Sequence, residues 1–138
     1  MSLPARAVAL GLFAVIASTS LGLALNASAF NGARWRLGEA AARRGIPAES
    51  IDAGIEWVGT YAPGRAYPDT PRGAHAGTWY DNMYPSFRLC AIVSSSLIHL
   101  SNFSLESADT GAYRLLLLAG KESPLFLYRV AAPGCPPA

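Results

Sequence analysis

An uncharged apolar run near the N-terminus constrains this chain more than any other feature. The run AVALGLFAVIASTSLGLAL, from Ala7 to Leu25, contains about 19 residues without a charged side chain. As an α-helix it would extend about 28 Å, close to the roughly 30 Å thickness of the hydrocarbon core of a bilayer. We therefore predict that residues 1–28 form a transmembrane helix or an uncleaved signal anchor.

A cleaved secretory signal peptide is the main alternative for this segment. Arg6 provides a short positive region before the run, and Ala27-Ser28-Ala29 matches the small-residue pattern of a cleavage site. A buried core helix is a third interpretation. The first two place residues 29–138 outside the cytoplasm, and the first predicts a single-pass protein of the cell membrane.

The distribution of arginines opposes that orientation. Arg34, Arg36, Arg43 and Arg44 follow the apolar run, whereas Arg6 alone precedes it. A count of positive charges on the two sides would keep the folded part in the cytoplasm. Charges inside a folded helix weigh less than charges in short loops, and so we retain the extracytoplasmic prediction.

Composition supports a membrane location and excludes one class of partner. Charged residues make up 14% of the chain and hydrophobic residues 51%, against about 25% charged in ordinary soluble domains. The net charge of +2 and the scattered arginines do not form the basic stripe that nucleic-acid binding requires. We expect the lipid bilayer as a partner and no nucleic acid.

Residues 29–138 are predicted to form one α+β domain, a small α/β layer in which an amphipathic helix packs on a mixed sheet of about four strands. Ser28 or Asn31 is a candidate N-cap of this helix, and Gly45, followed by Ile46-Pro47, is the predicted stop. Steps of three and four residues define the stripe of the helix, made of Phe30, Ala33, Leu37, Ala40, Ala41 and Arg44.

Strand patterns follow the predicted helix. Alternation from Ile51 to Val58 indicates a strand with one buried face, and the apolar centre of FRLCAIVSSS, residues 87–96, indicates a strand buried on both faces. The segments YRLLLLAG and PLFLYRVA should pair antiparallel across a KES turn. The segment before them is ambiguous between an irregular strand and a short helix, and Asp109-Thr110-Gly111 is its predicted closing turn.

The segment 59–85 is rich in proline, glycine and aromatic residues and is predicted to be a long ordered loop or a loop that holds one short helical turn. Aromatic rings beside arginines suit a sugar or a phosphate-bearing ligand, because a ring packs on C–H groups and a guanidinium binds phosphate oxygens. The alternative is that these rings attach the loop to the sheet. The candidate ligand-binding residues are Tyr61, Arg65, Tyr67, Arg72, Trp79 and Tyr80.

Catalytic candidates are few. Asp52, Glu56 and His75 are the residues that a small hydrolase could use. On one strand Asp52 and Glu56 would lie about 13 Å apart, beyond the roughly 5 to 9.5 Å of glycosidase carboxylate pairs. His75 and His99 lack the neighbours of a zinc motif, and so we expect no metal and no cofactor.

The chain contains two cysteines, Cys90 in a predicted strand and Cys135 after the last strand. An exported domain would allow them to form a disulfide. The alternative is a pair of free thiols. The bridge would close a loop of about 46 residues, for which the chain-entropy model gives roughly 4 kcal/mol.

Several short motifs follow the apolar run, namely Ala33-Arg34-Trp35-Arg36, Gly38-Glu39, Gly45-Ile46-Pro47, Ile51-Asp52-Ala53-Gly54 and Glu56-Trp57. These motifs resemble the C-terminal extracytoplasmic tail of actinobacterial-type multi-spanning membrane proteins similar to the dolichyl-phosphate-mannose protein mannosyltransferases. In that family the last transmembrane helix leads directly into a small α/β domain. The family's acidic residues for sugar transfer lie in an early loop, and nothing in this chain occupies that place.

The resemblance implies a membrane-anchored extracytoplasmic accessory domain of a glycosyltransferase-like protein, which is not expected to transfer sugar by itself. Its partners would be other transmembrane helices or a glycosyltransferase core, and its ligand a sugar or a polyprenyl phosphate. A secreted or envelope binding module released from a signal peptide is the second hypothesis, and a small hydrolase is the third.

Overall fold

A computed structural model describes residues 3–61, 88–98, 103–115 and 120–136 of the chain. In chain order these residues form helix α1 (Leu3–Arg43), a short 3₁₀ turn (Ala48–Ser50), strand β1 (Ile51–Asp52), helix α2 (Ile55–Tyr61) and strands β2 (Ala91–Ser94), β3 (Phe103–Leu115) and β4 (Lys121–Val130). One long apolar helix, one short helix and a mixed four-stranded sheet confirm the α+β class.

Helix α1 is one uninterrupted element of 41 residues. The predicted boundary at Ser28 or Asn31 is wrong, because both residues lie inside the helix. The linking sequence Asn26-Ala27-Ser28-Ala29 contains neither glycine nor proline, and so nothing in it breaks the hydrogen-bond ladder. The apolar run and the predicted amphipathic helix therefore continue into each other.

The predicted stop of α1 at Gly45 is confirmed. Gly45 has a φ of 86°, which a residue without a Cβ adopts at little cost. The N–H of Ile46 donates to the carbonyl of Ala41 at 3.4 Å, and the N–H of Gly45 donates to that of Ala42 at 3.0 Å. This pair of bonds is a Schellman motif. Ile46 and Ala41 both enter the core, which fixes where the chain turns back.

The strand predicted from Ile51 to Val58 is largely wrong, because β1 contains only Ile51 and Asp52. Gly54, with a φ of 106°, ends the extended backbone. The N–H of Val58 then donates to the carbonyl of Gly54 at 2.9 Å, and α2 follows. Burial does not follow the predicted alternation, because Ile51, Asp52 and Ala53 are all buried whereas Ile55 is exposed.

The sheet has the strand order β1-β2-β4-β3. Strands β1 and β2 are parallel, and β4 is antiparallel to both β2 and β3. Ala91, Ile92 and Val93 of β2 are buried, in agreement with a strand covered on both faces. In β4, Leu125 and Leu127 point to the core at alternate positions, as expected for a sheet face packed on a helix.

Two predicted turns in the β3–β4 region are wrong. Lys121 and Ser123 belong to β4, where they pair with Leu115 and Tyr113. Thr110 and Gly111 pair with Phe126 and Leu125 of β4, and the irregularity in this ladder is a register shift between Leu105 and Thr110. The antiparallel pairing of these two strands is confirmed.

The core lies between α1 and the sheet. From α1 it receives Ala33, Leu37 and Ala41, and Trp57 of α2 closes one side. The predicted disulfide is present between Cys90 and Cys135, with the two Cα atoms 5.4 Å apart. It ties the segment after β4 to the residue that precedes β2.

Candidate functional site

Polar side chains meet where α1, β1 and α2 come together. We call this group the junction cluster, defined as Asn31, Arg34, Asp52, Gly54 and Glu56. Arg34 projects from α1, Asp52 ends β1, and Gly54 precedes α2. The cluster lies next to the point where α1 leaves the core towards its exposed apolar part.

Asp52 is the buried charge of the cluster, with a side chain that is 1% exposed. Its Oδ1 accepts a hydrogen bond from the N–H of Gly54 at 3.0 Å, and Nη2 of Arg34 lies 3.7 Å from the same oxygen. Burial of a carboxylate without partners costs several kcal/mol, and both contacts offset part of that cost. The burial of Asp52 favours a structural role.

Gly54 allows the arginine to approach the backbone. A Cβ at this position would lie 2.9 Å from Cζ of Arg34, and the φ of 106° disfavours any other residue. The guanidinium carbon of Arg34 also lies 5.3 Å from the centroid of the Phe30 ring, a cation–π distance. Arg34 is therefore held by a charge, a ring and a backbone surface together.

Glu56 has a separate partner and a different environment. Its Oε1 accepts a hydrogen bond from Nδ2 of Asn31 at 3.0 Å, and the residue is exposed. Asp52 and Glu56 lie on β1 and α2 respectively and are held by different residues of α1. Of the two carboxylates, only that of Glu56 is open to solvent.

Three aromatic rings lie beside the junction cluster. This aromatic cluster consists of Trp35, Trp57 and Tyr61, with centroids 5.0 Å apart for the two tryptophans and 4.5 Å apart for Trp57 and Tyr61. Nε1 of Trp57 donates to the carbonyl of Ala48 at 3.0 Å. Trp57 is buried, whereas Tyr61 is 41% exposed, so one edge of the cluster faces solvent.

Gly38 makes room for this cluster on α1. A Cβ there would lie 2.8 Å from Cβ of Ala53 and 3.0 Å from the ring of Trp57. Real Cβ atoms do not approach other heavy atoms so closely. The glycine therefore lets α2 and the end of β1 pack directly on the helix backbone.

The structure locates only part of the predicted site. Tyr61 is described, and it packs on Trp57 and Trp35. The other predicted ligand-binding residues and one catalytic candidate lie outside the described residues: Arg65, Tyr67, Arg72, Trp79, Tyr80 and His75. Within the described ranges, no three His, Cys, Asp or Glu side chains are grouped so that they could hold a metal ion.

Sequence reasoning missed the pairings of the junction cluster. It treated Asn31 as a helix cap and did not connect Arg34 with Asp52, although both belong to the motifs singled out from the sequence. The available signal was a lone acidic residue beside the apolar Ile51, followed by Ala53-Gly54. No protein-family model, curated protein or solved structure matches the chain.

Proposed function

We propose that this protein is a membrane-anchored module whose folded part lies outside the cytoplasm and works by contact with a partner or ligand, without chemistry of its own. The observation that carries this proposal is the continuity of α1. The same helix has exposed apolar residues in its first half and core residues such as Leu37 in its second half. Anchor and domain then form one mechanical unit.

Retention of the helix is supported by the position of the possible cleavage site. Ala27-Ser28-Ala29 lies in the interior of α1, whereas proteolysis favours exposed, irregular segments. Cleavage there would create a positive N-terminus at Phe30, whose ring packs edge-on against Tyr113 at 5.2 Å and lies under Arg34. The new charge would lie close to that guanidinium and repel it.

An extracytoplasmic location is supported by the disulfide. The Cys90–Cys135 bond joins two parts of the core region, and such bonds persist in oxidising compartments and are rare in the cytosol. The arginines that argue for the opposite orientation belong to the folded helix. Arg34 pairs with Asp52 and Arg43 with Glu39, so part of their charge is balanced within the domain.

A non-catalytic role is supported by what the motif residues do. Arg34 binds Asp52, Gly38 admits Trp57, Ile46 fills the core, and Gly54 makes a turn. Each of these four residues therefore has a structural role in the fold. Motif residues with structural roles of this kind determine the fold and do not require a catalytic role. The carboxylate of Asp52 is also too deeply buried to contact a substrate.

The motif resemblance extends the proposal to a particular setting. We infer that the module accompanies a glycosyltransferase-like membrane protein, either beside its transmembrane helices or as its terminal part. A sugar or polyprenyl-phosphate ligand would meet the exposed edge of the aromatic cluster at Tyr61, because aromatic faces pack well on the C–H groups of a sugar. This extension rests on the resemblance and on the exposure of that ring.

Fractionation of cells that express the full chain tests the anchor. We expect the chain in the membrane fraction, resistant to alkaline washing, with an intact mass that includes the residues before Phe30. A soluble chain that begins at Phe30 would show a released module and overturn the anchor.

Protease added to intact cells or spheroplasts tests the orientation separately. The folded part should be digested from outside, while a cytoplasmic marker protein stays intact. Protection of the folded part until the cells are lysed would invert the proposed orientation.

A further inference from the structure

Large apolar side chains are exposed at few places outside α1 in the part of the chain that the structure describes. Within the described ranges, the large hydrophobic residues that are exposed beyond that helix are Ile55, Tyr61 and Leu97, at 68%, 41% and 56%. Single exposed apolar residues need no explanation. These three become informative because of where the fold places them relative to the apolar part of α1.

Successive residues between β1 and α2 contact positions on α1 that lie progressively closer to its N-terminus. Gly38 lies against Ala53, and Arg34 lies against Gly54. Asn31 binds Glu56. As the chain proceeds from Ala53 to Glu56, its contacts on α1 thus move towards the apolar run, and Ile55 lies at the end of the fold from which that run emerges.

The directions of the sheet strands place Leu97 and Lys121 at this same end of the fold. Strand β2 is parallel to β1, so it runs in the same direction, and Leu97 follows its last residue by three positions. Strand β3 also runs towards the apolar run of α1, because Gly111 lies beside Leu37 whereas Tyr113, two residues later, contacts Phe30. At the end of β3, Lys121 pairs with Leu115. We call this end of the fold the proximal end, defined by Ile55, Leu97, Tyr113 and Lys121.

Helix geometry gives the distance between the proximal end and the end of the apolar run. Asn31 follows Leu25, the last residue of the apolar run, by six positions, or about 9 Å along a helix. The headgroup layer of each leaflet is about 5 to 7 Å thick. Side chains that extend from the level of Asn31 towards the apolar run therefore reach the lipid headgroups.

We propose that the proximal end is seated on the lipid headgroup layer of the membrane that α1 spans, with Ile55 and Leu97 as its apolar contacts. This proposal rests on the proposed membrane anchor. Ile55 and Leu97 lose exposed apolar surface when they enter the interface, and the exposed Lys121 suits the phosphates of anionic lipids. The seat restricts how far the rigid unit of anchor and domain tilts in the membrane.

Labelling tests the seat directly. Both native cysteines are bridged, so a single introduced thiol carries the only label. The full chain with Ile55→Cys or Leu97→Cys receives an environment-sensitive fluorophore and is reconstituted into phosphatidylcholine and phosphatidylglycerol vesicles with brominated lipids. Arg43→Cys, twelve positions beyond Asn31 on the same helix, is the control. We expect quenching several-fold stronger at 55 and 97 than at 43.

Each outcome decides the proposal. Co-sedimentation of the chain with vesicles after alkaline washing establishes the anchor independently. If the chain is inserted but the labels at positions 55 and 97 are quenched no more than the label at position 43, the seat is refuted and the anchor stands. If the chain does not insert, both fail. Ile55→Glu in the Leu97→Cys chain should reduce quenching at 97, with folding verified by an unchanged circular dichroism spectrum, and unchanged quenching would also contradict the seat.

Discussion

The two halves of α1 have the same backbone and opposite environments. In the apolar segment, residues 7–25, a side chain such as Phe13 is 70% exposed, whereas Leu37 in the packed segment, residues 33–41, is 7% exposed. The apolar segment is hydrophobic on all sides, while the packed segment is apolar on one side and carries Arg36 and Glu39 on the other. A helix that is hydrophobic all round requires an apolar surrounding, and one with a single stripe requires one partner surface.

The two segments of α1 depend on different surroundings for their stability. The packed segment owes its stability to contacts with Ala53, Trp57 and the sheet. The apolar segment makes few contacts within the described residues, and its backbone hydrogen bonds are satisfied inside the helix, as a bilayer requires. Substitutions in the two segments should therefore have different consequences.

Removal of the buried carboxylate should have the largest effect on the packed segment. Asp52→Ala leaves Arg34 half-buried beside Phe30 without its counter-charge, and breaking a buried pair costs about 3–5 kcal/mol. We expect a loss of that size in urea unfolding of the full chain in micelles, followed by tryptophan fluorescence. The double variant Arg34→Met/Asp52→Ala should lose less than the sum of the single changes. Additive losses would mean that the two side chains do not interact.

Removal of the disulfide should weaken the domain and leave the anchor intact. The Cys90→Ala/Cys135→Ala variant opens a bridge between residues 45 positions apart, and bridges of this kind contribute about 2–4 kcal/mol. We expect a lower urea midpoint and unchanged association with membranes. Loss of the chain from the membrane fraction would show that membrane association depends on the stability of the folded part, contrary to this expectation.

The glycines of α1 provide a matched comparison of the two segments. Gly38→Ala introduces a Cβ 2.8 Å from that of Ala53, whereas a Cβ at Gly11 meets nothing within 4 Å. Overpacking costs about 1–3 kcal/mol, while alanine at an open helix position is neutral or favourable. Gly38→Ala should lower the Tm of the folded part, whereas Gly11→Ala should leave the Tm unchanged or raise it slightly. Equal shifts in the two variants would show that the packed segment has no close contact there.

The exposed ion pair on the packed segment should have the smallest effect. Nη1 of Arg43 lies 3.7 Å from Oε2 of Glu39, with both side chains well exposed, and helix pairs of this type contribute about 0.3–0.5 kcal/mol. Glu39→Gln should lower stability by no more than this in dilute buffer. The difference should vanish in high salt, and a loss above about 1 kcal/mol would indicate a further partner of Glu39.

Local sequence signals predicted the elements that depend on local chemistry. The stop at Gly45, the doubly buried β2 and the pairing of β3 with β4 follow from glycine conformation and hydrophobic periodicity. The same signals failed at α2. A period of two from Ile51 to Trp57 suits a strand, yet the side chain of Asp52 bonds to the N–H of Gly54 and turns the chain into a helix. Such a turn depends on one carboxylate and on the arginine that neutralises it.

The continuity of α1 and the pairings of the junction cluster could not be read from the sequence for another reason. Asn31 is a good cap in isolation, but here its amide reaches Glu56, 25 positions away. Contacts of this kind are decided by tertiary packing, which overrides local preference. The disulfide was predicted on the condition that the domain is exported, and the two cysteines of the chain then allow one intramolecular pair.

One unbroken helix joins the apolar segment to the core, and a distance measurement tests this continuity most directly. Nitroxide labels at Ser20→Cys and Arg43→Cys in the full chain, reconstituted in nanodiscs, are separated by 23 positions. A continuous helix predicts a narrow distribution centred near 35 Å. A broad distribution, or one centred well below that distance, would place a joint between the two segments and contradict the account.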